Sequence, residues 1–231
     1  MKTAVVTGGS SGIGAATACA LAKDGWHVIV AARRADKLKE VADEIGGEAI
    51  TLDVTDEDSV VAFADALDSV DLLVNNAGGA KGLDSVADAD IDDWKWMYET
   101  NVLGTVRVTK ALLPKLASGA QIVNVGSIAG ITPYVGGAGY NAAKFGVAAL
   151  TRVLRLETLD RPLRVCEINP GRVKTDFSLI RFKGDKERAD AVYAGHQNLV
   201  AEDIAEAIRW VASLPEHVNI DRLVIKPTDQ G

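Results

Sequence analysis

Short apolar runs alternate along the chain with longer stretches in which apolar residues recur every three or four positions. Ala4–Val6, Val28–Ala31, Ala49–Leu52, Leu72–Val74, Gln121–Val125, Arg164–Ile168 and Arg222–Ile225 have the length and β-branched content of buried strands. Between them the 3.6-residue period predicts helices near Gly14–Lys23, Ala35–Ile45, Asp56–Leu67, Trp94–Leu116, Gly139–Leu159 and Glu202–Leu214. Strict alternation of strand and helix predicts an α/β fold: a doubly wound sheet of seven parallel strands with helices on both faces. No repeat, low-complexity tract or linker interrupts residues 1–231, so a single domain is expected. One charged segment, near 175–198, breaks the alternation before the last helix. Placed beside the carboxyl ends of the strands, it suits a lid over a substrate.

Composition narrows the partners. The chain has 48% hydrophobic and 25% charged residues, ordinary for a globular protein of 231 residues. Its 25 basic and 32 acidic residues give a net charge of -7, which argues against nucleic acid or an anionic membrane as the main partner. Met1-Lys2-Thr3 leads directly into Ala4-Val5-Val6, too short for a secretory apolar region, and no window reaches the roughly 18 apolar residues of a membrane span. A cytoplasmic location is expected. Cys19 and Cys166 lie among apolar neighbours without CxxC spacing and read as two buried, reduced thiols. His27, His196 and His217 form no ligand cluster with them, so no metal is expected.

The chemistry gathers in Tyr140-Asn141-Ala142-Ala143-Lys144. Residues four apart on a helix share a face, which sets the Lys144 ammonium beside the Tyr140 phenol. A positive charge ~4 Å away, at an effective dielectric of ~20, favours the phenolate by roughly 4 kcal/mol, or about three pKa units. That would bring a tyrosine into the range of general acid-base catalysis.

A second element is the turn after the first strand, Thr7-Gly8-Gly9-Ser10-Ser11-Gly12-Ile13-Gly14. Glycines there allow positive φ and let backbone amides approach a pyrophosphate, which the following helix N-terminus also attracts. The second strand ends Ala31-Ala32-Arg33-Arg34, where a dinucleotide fold that takes NAD would carry an acid. Two arginines and no acid favour the 2'-phosphate of NADP.

At this point the chain resembles the short-chain dehydrogenase/reductase family over nearly its whole length. Thr7-Gly8-x-x-x-Gly12-x-Gly14 matches the family's glycine motif, Asn75-Asn76-Ala77-Gly78 its NNAG motif, and Pro170-Gly171 its later PG motif. Asn101, Ser127, Tyr140 and Lys144 match its catalytic tetrad. The resemblance implies that Tyr140 is the acid-base residue, that Lys144 lowers its pKa and binds the nicotinamide ribose, and that Ser127 stabilises charge on the substrate oxygen. It implies that Asn101, in the middle of the long helix from Trp94, holds a water for proton relay to Lys144. NADP(H) would be bound by Gly8, Ser10, Ser11, Gly12, Ile13, Gly14, Arg33 and Arg34, by Asp53 and Val54 after the third strand, and by Asn76, Ala77 and Gly78. Tyr140, Lys144, Pro170, Gly171, Val173 and Thr175 would complete that site. Family analogy also implies a homo-oligomer, a tetramer or dimer built on the long helices.

Arg181-Phe182-Lys183-Gly184-Asp185 and Leu214-Pro215-Glu216-His217-Val218-Asn219-Ile220 resemble the NADP-dependent branch acting on serine, allo-threonine and other 3-hydroxy acids. The substrate implied is a small secondary alcohol or its ketone, contacted by Ser127, Tyr134, Arg181 and Lys183, with Arg181 or Lys183 holding its carboxylate. Reduction of 3-oxoacyl thioesters or other carbonyls is the alternative within enzymes, and an NADPH-sensing protein with little turnover is the alternative of another class. The remaining features read as structure. Thr55-Asp56-Glu57-Asp58 looks like a capped helix start, Asp88, Asp90, Asp92 and Asp93 a solvated loop and helix start, and Trp94, Trp96 and Trp210 core or subunit-contact residues.

Overall fold

In the computed structural model, which describes residues 1–231, seven strands build one sheet: β1 (Thr3–Thr7), β2 (His27–Ala32), β3 (Glu48–Thr51), β4 (Val70–Asn75), β5 (Leu116–Val125), β6 (Arg164–Pro170) and β7 (Arg222–Ile225). All neighbours pair in parallel, in the order β3-β2-β1-β4-β5-β6-β7. The winding direction reverses between β1 and β4, and such a switch point opens a crevice at the carboxyl ends of the strands.

Period-two alternation divides the strands between two cores. In β1, Ala4 and Val6 join a cluster with Leu21 of α1 (Gly12–Lys23), Leu38 of α2 (Ala35–Ile45) and Ile204 and Ile208 of α9 (Ala201–Ser213). Val5 points the other way, into a cluster with Phe63 of α3 (Glu57–Asp65), Leu112 of α5 (Gly104–Leu112) and Leu154 of α6 (Ala138–Glu157). Both faces of the sheet are therefore covered, as the near-continuous apolar strands require. No helix is long and apolar enough to cross a membrane.

Two expectations need correction. The helix predicted over Trp94–Leu116 is broken: α4 (Ile91–Tyr98) passes through a π-helical turn, Glu99–Leu103, into α5, and a tight turn at Leu113–Lys115 then leads into β5. Pro114 supplies the stop, since it has no amide to continue a helix, and β5 begins at Leu116 rather than Gln121. Cys166 is buried, with its thiol pushed up to about 12, mainly by desolvation. Cys19 is only half-buried, because the face of α1 that meets the core runs through Gly14, Thr17, Ala18 and Leu21 and leaves position 19 at its edge. Trp210, read as a core or subunit-contact residue, is 46% exposed and so lies outside the core. The capped helix start stands as read, with Asp56 accepting from the Asp58 amide at the head of α3.

Segment 175–198 carries two short helices, α7 (Phe177–Arg181) and α8 (Lys186–Ala191). Its ends are drawn together where Lys174 N donates to Leu199 O at 2.8 Å and Leu199 N to Arg172 O at 3.1 Å.

Candidate active site

A cleft of about 830 Å³ opens along the carboxyl ends of β1, β2, β4, β5 and β6, roofed by α7. Every site residue proposed from sequence lines it except Gly14, Asn101 and Lys183.

At one end the glycine turn enters α1. Gly8 and Gly12 have φ of 65° and 55°, a region that favours glycine. Gly14 works from below: a Cβ there would lie 2.3 Å from the Gly8 carbonyl, so only glycine lets the helix start close against the turn. Ser11, the residue before α1, does not cap the helix with its side chain, and no acid stands in the first turn. The N-terminal amides thus remain available to an anion. Arg34 donates from Nη2 to Ser10 Oγ (3.0 Å) and Ser11 Oγ (2.6 Å), and neither Arg33 nor Arg34 forms a salt bridge. This donor set fits the 2'-phosphate of NADP, and the cleft fits the dinucleotide. Asp53 accepts from the Thr55 amide and hydroxyl; burial opposes its ionisation, but these bonds and the Arg33 charge hold it below its ordinary value.

Asn76, Ala77 and Gly78 form the cleft floor beside the turn. Asn76 Nδ2 donates to Thr7 O at 2.9 Å, tying β4 to β1 across the switch point. Asn101, in the π turn, has its side chain committed: Nδ2 donates to Gly79 O (2.8 Å) and Met97 O (2.7 Å), and Oδ1 accepts from Gly79 N (3.2 Å). It is 1% exposed, and its side-chain amide shapes the 76–79 loop.

At the other end Ser127, Tyr140 and Lys144 converge, carried by the end of β5 and the first turns of α6. The Ser127 hydroxyl accepts from the Ala129 amide at 3.1 Å and favours the ionised form of the Tyr140 phenol. Lys144 Nζ donates to the Val125 carbonyl at 2.9 Å and lies 5.8 Å from the centre of the Tyr140 ring. Burial is the largest influence on both groups. It pushes the phenol well above its ordinary value, aided by Tyr134 and opposed by the Ser127 hydroxyl and the Arg181 charge. It brings Lys144 down to about 8, against the pull of Glu167. The expected lowering of Tyr140 by Lys144 is thus not what the protein's own groups produce. The ammonium is turned toward a backbone carbonyl, and the phenol's loss of water outweighs the favourable charge around it.

Segment 175–198 completes this end. Phe177 packs on Tyr140 with ring centres 5.5 Å apart. The Arg181 guanidinium lies 5.6 Å from the Tyr140 ring and 5.5 Å from the Tyr134 ring, donating to Tyr134 Oη (2.6 Å) and the Gly82 carbonyl (2.9 Å). Lys183 lies outside the cleft, paired with Asp93 at 2.8 Å, because positive φ (54°) at this residue turns the chain away after α7. Sequence reasoning missed Lys81 and read Trp96 as a core or subunit-contact residue; both line the cleft, with the Lys81 Nζ 4.8 Å from the Trp96 ring centre. Nothing in their local pattern sets them apart; only the tertiary fold brings the 77–82 loop opposite α7.

A family model for short chain dehydrogenases matches residues 2–184. The chain is 60% identical to an uncharacterized oxidoreductase of Mycobacterium tuberculosis, covering 100% of this chain and 92% of the relative. It is 42% identical to an NADP-dependent 3-hydroxy acid dehydrogenase of Schizosaccharomyces pombe (100% and 94% covered) and to a sulfoacetaldehyde reductase of Chromohalobacter salexigens (98% and 94%). A closed form of serine dehydrogenase complexed with NADP+ superposes with a TM-score of 0.95 at 37% identity, over 99% of this chain and 96% of that one. The chain belongs to the short-chain dehydrogenase family and is an oxidoreductase.

Proposed function

We propose that this short-chain dehydrogenase is an NADP-dependent oxidoreductase of small alcohols or ketones that carry an anionic head, 3-hydroxy acids above all. The observation that carries the reading is the Arg181 guanidinium, free of any salt bridge and 5.6 Å from the Tyr140 ring. A carboxylate or sulfonate held there would set the neighbouring hydroxyl carbon against the phenol. The electrostatics of the cleft support it: six basic side chains line it (Arg33, Arg34, Lys81, Lys144, Arg172, Arg181) against Asp53 and Asp176, in a chain of net charge -7. The named activities of the relatives, on a hydroxy acid, serine and a sulfonated aldehyde, share that anionic head.

Bound NADP(H) would supply or accept the hydride. Its 2'-phosphate would meet Arg34, Ser10 and Ser11, its pyrophosphate the head of α1, and its nicotinamide ribose Lys144. Tyr140 would take the hydroxyl proton in oxidation and return it in reduction, while Ser127 would hydrogen-bond the substrate oxygen and the phenol together. With burial holding the phenol protonated, the resting site is poised to donate a proton, which suits carbonyl reduction near neutral pH. Lys144 as a cation would favour the phenolate once the proton has left. A homo-oligomer belongs to the same reading, supported by the exposed Tyr98, Phe145, Val153 and Leu156 beside α6. A monomer in light scattering would remove it.

The test is turnover of a panel of serine, allo-threonine, 3-hydroxyisobutyrate, 3-hydroxybutyrate and simple secondary alcohols with NADP, followed by NADPH absorbance, with Tyr140→Phe as control. Hydroxy-acid turnover that vanishes in the variant is expected. Turnover of neutral alcohols alone would remove the anionic head from the assignment.

A further inference from the structure

The chain has one fully buried carboxylate, and nothing above uses it. Glu167 on β6 is 1% exposed. Its Oε2 accepts from Arg222 Nε on β7 at 2.8 Å, while Oε1 is buried without a hydrogen-bond partner. The carboxylate is thus neutralised on one side only. Its bare side lies under Gly126, where an added Cβ would come within 2.8 Å of Glu167 Oε1 and 2.5 Å of Asn169 Oδ1. Gly126 links two working groups: the preceding carbonyl, Val125 O, receives Lys144 Nζ, and the following amide, Ser127 N, donates to Asn169 Oδ1 at 3.0 Å.

We propose that Glu167 is a positioning residue for Lys144: its buried, half-neutralised carboxylate under Gly126 keeps the lysine a cation against the water-poor site around it. The proposal rests on the reading of Lys144 as a working ammonium. A buried ammonium without a counter-charge sheds its proton, and a neutral lysine can neither favour a phenolate nor offer three donors to a ribose. The titratable groups around Lys144 are few. Tyr140 shares its helix, Glu167 acts on it by charge from β6 with Arg222 paired to the carboxylate from β7, and Tyr134 and Arg181 act on Tyr140. Of these, Glu167 is the group whose charge opposes the lysine's desolvation. Arg222, with its side chain 37% exposed, is screened by water and cannot cancel a carboxylate in the interior.

The experiment is a direct titration of Lys144. Protein labelled with nitrogen-15 at lysine Nζ would be followed by NMR over about pH 6 to 11, the resonance assigned with Lys144→Met, in wild type and Glu167→Gln. The wild-type midpoint, about 8, should fall on the order of one unit in the isosteric neutral variant. An unmoved or raised midpoint overturns the proposal, whatever the variant does to melting temperature, because a merely structural role leaves the lysine's titration in place. If Glu167→Gln does not fold, the Glu167→Gln/Arg222→Leu double variant strands no charge and carries the same expectation. Turnover of Tyr140→Phe judges the underlying reading separately. An active variant sinks that reading, while an inactive one beside an unmoved lysine midpoint sinks only the role of Glu167.

Discussion

Lys183 Nζ lies 2.8 Å from Asp93 Oδ2, an ion pair that joins segment 175–198 to the first turn of α4. The adjacent backbone pair, Gly82 N to Arg181 O at 3.0 Å, closes the same seam. Lys183 is thus paired with α4 and does not line the cleft. Pairs with one partner in solvent are weak, so Asp93→Asn should raise KM only about two- to five-fold, equally for hydroxy acids and neutral alcohols, with NADPH affinity unchanged in a fluorescence titration. A rise confined to hydroxy acids would return Lys183 to the substrate site.

Arg181 should behave differently. Arg181→Met removes the charged partner of the anionic head and should raise KM for a 3-hydroxy acid about 10- to 100-fold, while a neutral secondary alcohol changes little. Equal effects on both substrates in steady-state kinetics would show that Arg181 only orders the lid.

Arg34 and the serine hydroxyls it holds decide between cofactors. Arg34→Leu should weaken NADP binding by about 10- to 100-fold and leave NAD nearly unaffected, measured by isothermal titration. A parallel loss for both dinucleotides would mean that Arg34 holds the turn and not the phosphate.

Lys144 links function to stability. Its midpoint in the folded protein, about 8, lies below the ordinary 10.5. Below pH 8 it is protonated in both states, and the fold bears the cost of a buried charge. Between pH 8 and about 10.5 the unfolded chain binds the extra proton, so stability rises with pH in that window. Lys144→Met should abolish turnover yet unfold at higher urea concentration at pH 7, by about 2 kcal/mol, with the gain shrinking by pH 10. A less stable variant at pH 7 would show that the bond to Val125 O outweighs desolvation.

Much of this was legible along the chain because it is local. Alternating apolar periods report strand and helix through the burial each residue needs, and the positions of Gly8 and Gly12 report a turn that only glycine adopts without strain. The spacing of Tyr140 and Lys144 reports a shared helix face. Spacing alone did not say where Lys144 Nζ would point, and the carbonyl that receives it, Val125 O, is 19 residues away. The π turn at Glu99–Leu103 was equally hidden, since apolar periodicity continues through it and the Asn101 side chain finds its partners in Gly79, 22 residues upstream.

By itself, then, the sequence determined the order and type of the elements, the parallel sheet that their alternation demands, and the residues able to carry acid-base and phosphate-binding chemistry. These follow from backbone sterics, periodicity and functional-group chemistry, which act over a few residues. Tertiary structure alone decided the electrostatics: that burial raises Tyr140 and lowers Lys144, that Arg181 enters the cleft while Lys183 leaves it, and that Glu167 stands under Gly126. A side chain's charge state is set by how much water its neighbours exclude and which charges remain nearby, and those neighbours come from strands and loops far apart in the chain.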